Sequence, residues 1–199
     1  MSRPASTPLL LASTSPQRRA ILSQLGIPFD IAVPRYEEED APGSNPLELV
    51  CAHALGKARS LAAEAAGRPV LGVDTAVVLD QDVFGKPDAE GEARAMLARL
   101  GGRTHEVVSG VCLLDSGWED LGHAVTHVTF RTLGEREISE YLAAGEWRGR
   151  AGAYAIQGLG ACLVERIEGD YLNVVGLPAA LLVKTLAKRY PGVYGLASS

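Results

Sequence analysis

Leu9-Leu10-Leu11-Ala12-Ser13-Thr14-Ser15-Pro16-Gln17-Arg18-Arg19-Ala20-Ile21-Leu22 reads as a strand, a small polar loop and the start of a helix. The apolar run Leu9 to Ala12 has the length of a short buried strand. Ser15 is placed to cap a helix whose first position is Pro16, where the missing N–H costs nothing and the ring presets φ. That helix runs to about Leu25 and stops at Gly26, and Ile27 to Val33 is extended again. A strand that feeds a helix and then a second extended segment is the unit of an α/β fold. The same stretch carries the first chemical signal. Free amides at a helix start and the neighbouring Arg18 and Arg19 complement phosphate oxygens. Capping alone also accounts for Ser15, and surface exposure for either arginine. The absence of a GxxxxGK(S/T) pattern excludes a P-loop.

Working outward, Tyr36 to Asp40 is an acidic loop, and Asn45-Pro46-Leu47-Glu48 starts a second helix that extends to about Ala65. Asn45 is its cap, with Glu48 placed to complete a capping box. Val70 to Leu79 is an apolar, β-branched run interrupted by Asp74-Thr75, with a turn near Asp80 to Asp82 and a rigid Gly85-Lys86-Pro87 loop. Residues 89 to 100 have helical spacing and end at Gly101-Gly102. Val107 to Leu114 and Ala124 to Phe130 read as strands joined by a polar connection, an antiparallel pair within a mixed sheet. Glu135 to Ala144 is a short helix, Cys162 to Ile167 a strand and Pro178 to Tyr190 a final helix. No repeat and no clean linker divides the chain.

The 199 residues suffice for one substantial α/β domain or two small packed lobes. With 47% hydrophobic and 22% charged residues the composition is globular, which argues against disorder or a coiled coil. A net charge of -5 supplies no general footprint for nucleic acid, and a phosphate pocket would have to be local. Cys51, Cys112 and Cys162 form neither a CxxC pair nor a disulfide scaffold, and read as buried thiols of a reducing cytosol. The Leu9 to Ala12 run is too short for a signal-peptide core or a membrane span, so a soluble, cytoplasmic protein is expected.

Asp74 is the second chemical signal, because a carboxylate within such an apolar run needs a charge partner, hydrogen bonds or a metal. A catalytic acid at a strand end satisfies that requirement, and so does a structural hydrogen bond. Thr75 offers a substrate contact or simply favours extended backbone. Lys57 and Lys86 can bring positive charge to a phosphate chain, and Glu38 can help Asp74 hold a divalent ion or position water. The alternatives are a solvated helix face for Lys57 and an acidic surface loop for Glu38. Gln157 can read a base edge through its amide or satisfy a loop. His53, His105, His123 and His127 make no zinc pattern, and structural roles are expected of them. The chain has no GxSxG elbow, no Cys-His grouping and no Rossmann fingerprint, which favours water attack over a covalent intermediate.

LLLASTSPQRRAIL at 9 to 22, KA at 57 to 58, GVDTAVVLD at 72 to 80, GKP at 85 to 87, AGAYAIQGLGA at 151 to 161 and GDYLNVVGLP at 169 to 178 together resemble the Maf family of nucleoside triphosphate pyrophosphatases over nearly the whole chain. The resemblance implies a single two-lobed α/β domain over 1 to 199, with an elongated central mixed sheet flanked by helices, a nucleotide-binding cleft, and short flexible ends at about 1 to 7 and 192 to 199. It implies conversion of a nucleoside triphosphate and water into a nucleoside monophosphate and pyrophosphate, in a house-cleaning role against modified nucleotides. By resemblance the catalytic acid is Asp74, and Ser13, Arg18, Glu38, Lys57 and Lys86 form the phosphate-binding and active-site cluster. Divalent metal assistance, from Mg²⁺ or Mn²⁺ on Asp74 and Glu38, comes with it. Thr75 and Gln157 match positions associated with substrate choice.

Gln17 stands where the common SPRR form has its first arginine, and it matches neither that arginine nor the tryptophan of another branch. Asp74-Thr75 and the AYAIQG segment resemble the branch favouring dTTP and UTP. The alternatives are a preference for 7-methyl-GTP or another modified nucleotide, and a nucleotide-binding regulator of cell-division arrest. Homodimers occur in the family and are expected here, with no stable nucleic-acid complex and no membrane association.

Overall fold

The computed structural model describes residues 7–39 and 44–194. Its frame is a seven-stranded mixed sheet of β1 (Leu9–Ala12), β2 (Phe29–Ala32), β3 (Val70–Leu79), β4 (Asp82–Phe84), β5 (Thr104–Asp115), β6 (Trp118–Phe130) and β7 (Val164–Glu168). Six of these run in the order β2-β1-β3-β5-β6-β7, and β4 pairs with the far half of β3. β1 is parallel to β2 and β3, and the pairs from β3 through β5 and β6 to β7 are antiparallel. The helices are α1 (Pro16–Gln24), α2 (Pro46–Arg59), α3 (Glu90–Leu100), α4 (Glu135–Ala143), α5 (Tyr171–Val175) and α6 (Ala179–Arg189).

Several sequence expectations need adjusting. Asp74 does not sit at a strand end: the apolar run is broken at Asp74-Thr75, but the strand continues through both, in register with Gly110 and Ser109 of β5. The expected polar connection between β5 and β6 shrinks to the turn at Ser116-Gly117, with Gly117 at φ +90°, and the two strands run its full length. α2 stops at Arg59, short of Ala65, where the Ser60 hydroxyl donates to the Lys57 carbonyl at 2.8 Å and a short 3-10 turn follows. The last strand begins at Val164, because residues 159 to 163 form a 3-10 turn. Neither β4 nor α5 was expected. Of the three cysteines only Cys112 is buried, its thiol pushed up to about 12 chiefly by burial, while Cys51 is half-buried and Cys162 exposed on that 3-10 turn. Most of the expected flexible ends, and Asp40 of the acidic loop, lie outside the described residues. Within them, Tyr194 is buried and its hydroxyl donates to the Thr7 carbonyl.

Strand alternation organises the core around β3. On one face, Leu71 and Val73 join a cluster with Ile21, Leu22 and Leu182, and Val77 and Leu79 join another with Leu97, Phe130 and Leu142. Thr75 lies between these two cores. On the opposite face, Val70 packs with Ala54 and Ala58 of α2, and Ala76 and Val78 pack with Val50. Asp74 lies between those. A polar residue therefore stands at the middle of the strand on each face, flanked by apolar packing.

Two glycines bring α2 down onto the sheet. A Cβ at Gly72 would stand 2.1 Å from the Ala54 carbonyl oxygen, and one at Gly110 would stand 2.3 Å from that of Val50. Because the obstacles are backbone atoms, a methyl group at either place must lift the helix. Gly72→Ala is expected to destabilise the chain by about 3 kcal/mol, at the upper end of ordinary overpacking, as read by urea unfolding. A cost below about 0.5 kcal/mol, no more than a surface change, would contradict the close packing.

His105 is buried against Phe130 and Tyr154, and its Nε2 shares a hydrogen bond with the Tyr154 hydroxyl at 2.9 Å. Burial lowers its pKa from 6.5 to about 4. Between those values the unfolded chain binds a proton that the folded chain refuses, so stability falls as the pH falls. Acidification from pH 6.5 to 4 should cost at most about 3 kcal/mol through this group. Unfolding curves of wild type and His105→Gln across that range check it, the variant showing the shallower pH dependence.

Candidate active site

The cleft opens where the polar residues of β3 meet the helix starts. A cavity of about 340 Å³ is lined by Ser13, Gln17, Arg18, Glu38, Lys57, Thr75, Lys86 and Gln157, among others. A second cavity of about 280 Å³ shares Arg18, Glu38, Lys57, Thr75 and Lys86 with it and adds Asp74 and His53. Nine residues singled out from the sequence thus border one continuous cleft, whereas Arg19, exposed, lines neither cavity.

Asp74 faces α2, and from that helix Lys57 reaches down to it. Lys57 lies one turn beyond His53 on the buried face that also carries Val50, Ala54 and Ala58. Its side chain is only 8% exposed, and its ammonium donates to Asp74 Oδ1 at 2.6 Å and pairs with Glu38 Oε1 at 2.7 Å. This decides against a solvated helix face for Lys57. Glu38 comes from the irregular segment after β2. Partial burial opposes its ionisation, but the hydrogen bond and charge of Lys57, with His53 and Lys86 behind them, hold its carboxyl below the ordinary value.

Thr75 faces the other side, toward α1. The Arg18 guanidinium spans three acceptors there: Nε donates to the Gly176 carbonyl at 3.0 Å, Nη1 to Ser13 Oγ at 3.1 Å and Nη2 to Thr75 Oγ1 at 3.4 Å. Burial lowers the Arg18 pKa from its usual value, while the charges of Asp74 and Glu38 act in the opposite direction. Thr75 Oγ1 also lies 2.8 Å from Ser109 Oγ on β5. Ser15 caps α1 as expected, accepting from the Arg18 amide at 3.4 Å, and its hydroxyl donates to Gln17 Oε1 at 3.1 Å. Lys86 follows β4 on its Gly-Pro-flanked loop. The loop that carries Gln157 is tied down by Glu146, which accepts from the amides of Leu159 at 3.0 Å and Gly160 at 3.3 Å.

Three further side chains belong to this neighbourhood. His53, for which only a structural role was expected, has a ring nitrogen grouped with carboxylate oxygens of Glu38 and Asp74, all within 4.8 Å of one another. Its helical spacing of four from Lys57 was the available signal. Tyr36 donates to or accepts from His53 Nδ1 at 3.0 Å, and its ring fills the notch at Gly56, where a Cβ would stand 2.2 Å away. Arg150 lines the larger cavity and nothing in its local sequence marked it. His123 and His127 share β6 away from this cleft, with His127 3.3 Å from Glu106.

The cleft therefore presents cations on both sides of β3 and two carboxylates that meet at one ammonium, an arrangement suited to a polyanion that must also meet an acid–base group. The Maf-like protein family model matches residues 8–189. A dTTP/UTP pyrophosphatase of Moorella thermoacetica is 49% identical over 181 residues, covering 90% of this chain and 93% of that one. One of Symbiobacterium thermophilum is 46% identical over 180 residues, with the same coverage. One of Deinococcus radiodurans is 40% identical over 188 residues, covering 94% and 96%. Among solved structures, the Staphylococcus aureus Ham1 protein gives a TM-score of 0.45 at 12% identity over 62% of this chain and 72% of that one, too loose a likeness to bear on the fold or the site. The chain belongs to the Maf-like protein family.

Proposed function

We propose that this chain is a nucleoside triphosphate pyrophosphatase that hydrolyses its substrate between the α and β phosphates, with dTTP and UTP preferred. The observation that carries the reading is the buried Lys57 ammonium held by Asp74 and Glu38 at the wall of a cleft lined by Arg18 and Lys86. The preference rests on the relatives, which are dTTP/UTP pyrophosphatases, and on Thr75 and Gln157 in the cleft wall.

Asp74 accepts the proton of a water whose oxygen bonds to the α-phosphorus, while the bond from that phosphorus to the bridging oxygen breaks and diphosphate leaves. Lys57 holds the Asp74 carboxylate in place through Oδ1. Arg18 and Lys86 offset the charge that grows on the phosphate oxygens, and Ser13 and the α1 start offer them N–H and O–H donors. Thr75 and Gln157 face the nucleoside, and Gln17 lies in the first turn of α1 at the same cleft.

The donors Asp74 and Glu38, with His53 beside them, fit Mg²⁺ or Mn²⁺, since hard carboxylate oxygens suit both. When bound there, the ion supplies Lewis-acid polarisation of a phosphoryl oxygen. No helix among the described residues is long and apolar enough to cross a membrane. The reading includes action in the cytoplasm on free nucleotides, as a homodimer, in clearing modified nucleotides.

Product-resolved turnover of dTTP, UTP, CTP, 7-methyl-GTP and the purine triphosphates, with either metal, tests the proposal. Diphosphate and the matching monophosphate should form fastest from dTTP or UTP. Asp74→Asn should stay folded and lose about 10²- to 10⁴-fold in kcat. No turnover across the panel, or a folded Asp74→Asn with normal kcat, would overturn it.

A further inference from the structure

We propose that Arg150 is a further binding residue for the triphosphate chain; the proposal rests on the nucleotide reading above. Arg150 lines the larger cavity between Gly149 and Ala151, and Ala151 borders both cavities. The segment is fixed against the loop of Lys86, since the Gly152 amide donates to the Gly85 carbonyl at 3.1 Å. Gly152, at φ +68°, also packs where a Cβ would meet Val77 at 3.0 Å. Both contacts determine the path of the backbone beside Arg150 and hold it next to the phosphate-facing lysine.

The side chain lacks the carboxylate partner that several other arginines have. Arg59, Arg99, Arg103, Arg131 and Arg189 each pair with a carboxylate at the surface. Arg150 Nε is buried with no hydrogen-bond partner, and no interaction of this residue with a carboxylate completes it among the described residues. A withdrawn N–H without an acceptor costs free energy that a ligand recovers on binding. A guanidinium offers planar, paired donors matched to phosphate oxygens, and a charged acceptor compensates this half-buried cation better than the neutral carbonyl of a base. The charge pattern agrees. Lys57 is already matched by Glu38 and Asp74, and Arg18 and Lys86 alone would face a triphosphate carrying several negative charges. Arg150 supplies a third unmatched cation, lining the same cavity as Arg18 and Lys86.

Titration calorimetry with inorganic tripolyphosphate, on wild type, Arg150→Gln and Arg150→Lys, tests this beside steady-state kinetics with dTTP. Arg150→Gln should bind tripolyphosphate about tenfold or more weakly, with KM for dTTP raised by a similar factor and kcat changed less. Arg150→Lys should fall between the two. Wild-type affinity for tripolyphosphate in Arg150→Gln would overturn the proposal, including the case where KM for dTTP alone rises, which would place Arg150 at the nucleoside. If Arg150→Gln does not fold, Arg150→Lys decides: intermediate affinity supports the proposal and wild-type affinity overturns it. Tripolyphosphate binding that depends on Arg150 in a chain unable to hydrolyse dTTP would overturn the pyrophosphatase reading and leave this site standing.

Discussion

A lysine ammonium withdrawn from water between two carboxylates is the constraint on which the site and much of the fold depend. An ion at that depth is tolerated only when its partners are close and well aimed, and Lys57 meets both at hydrogen-bond distance. For that to happen α2 must lie almost on the sheet, which the missing side chains of Gly72 and Gly110 allow. Glu38 must also be delivered from an irregular segment. Its approach is held by Tyr36 in the Gly56 notch and by the Arg35 amide donating to Ser60 Oγ at 3.1 Å. Four small or aromatic residues remote from one another in sequence thus serve one ion cluster.

The second organising feature is the change of face between Asp74 and Thr75. In an extended strand adjacent side chains point to opposite sides, so one dipeptide addresses two environments. Asp74 meets the acid–lysine cluster under α2, and Thr75 meets Arg18, Ser109 and the Gly176 carbonyl beneath α1 and α5. Apolar clusters before and after the pair on both faces keep the strand from shifting register, since a one-residue slip would turn the carboxylate toward Ile21, Leu22, Leu97 and Phe130. Stability and chemistry are coupled here: the packing that fixes the register also fixes the acid.

Much of this was legible in the sequence. The strand, the Ser15 cap and Pro16 announced α1, Asn45 and Pro46 announced α2, and a carboxylate inside Val70 to Leu79 required a partner. What the sequence did not show follows from its lack of distance information. β4 and α5 are short, and their strength comes from pairing with β3 and from the Asp170 cap, which accepts from the Leu172 amide at 2.8 Å. His53 looked isolated because its partners, Glu38 and Asp74, come from other elements. Arg150 carried no signal because its distinguishing property is the absence of a partner, which only a folded chain reveals.

In this reading the ion cluster directs water to the α-phosphorus. Hydrolysis of dTTP in ¹⁸O-labelled water, with the products separated and weighed by mass spectrometry, tests it most directly. The label should appear in the phosphate of dTMP, and the diphosphate should be unlabelled. Label in the diphosphate would place the attack at the β-phosphorus and contradict it.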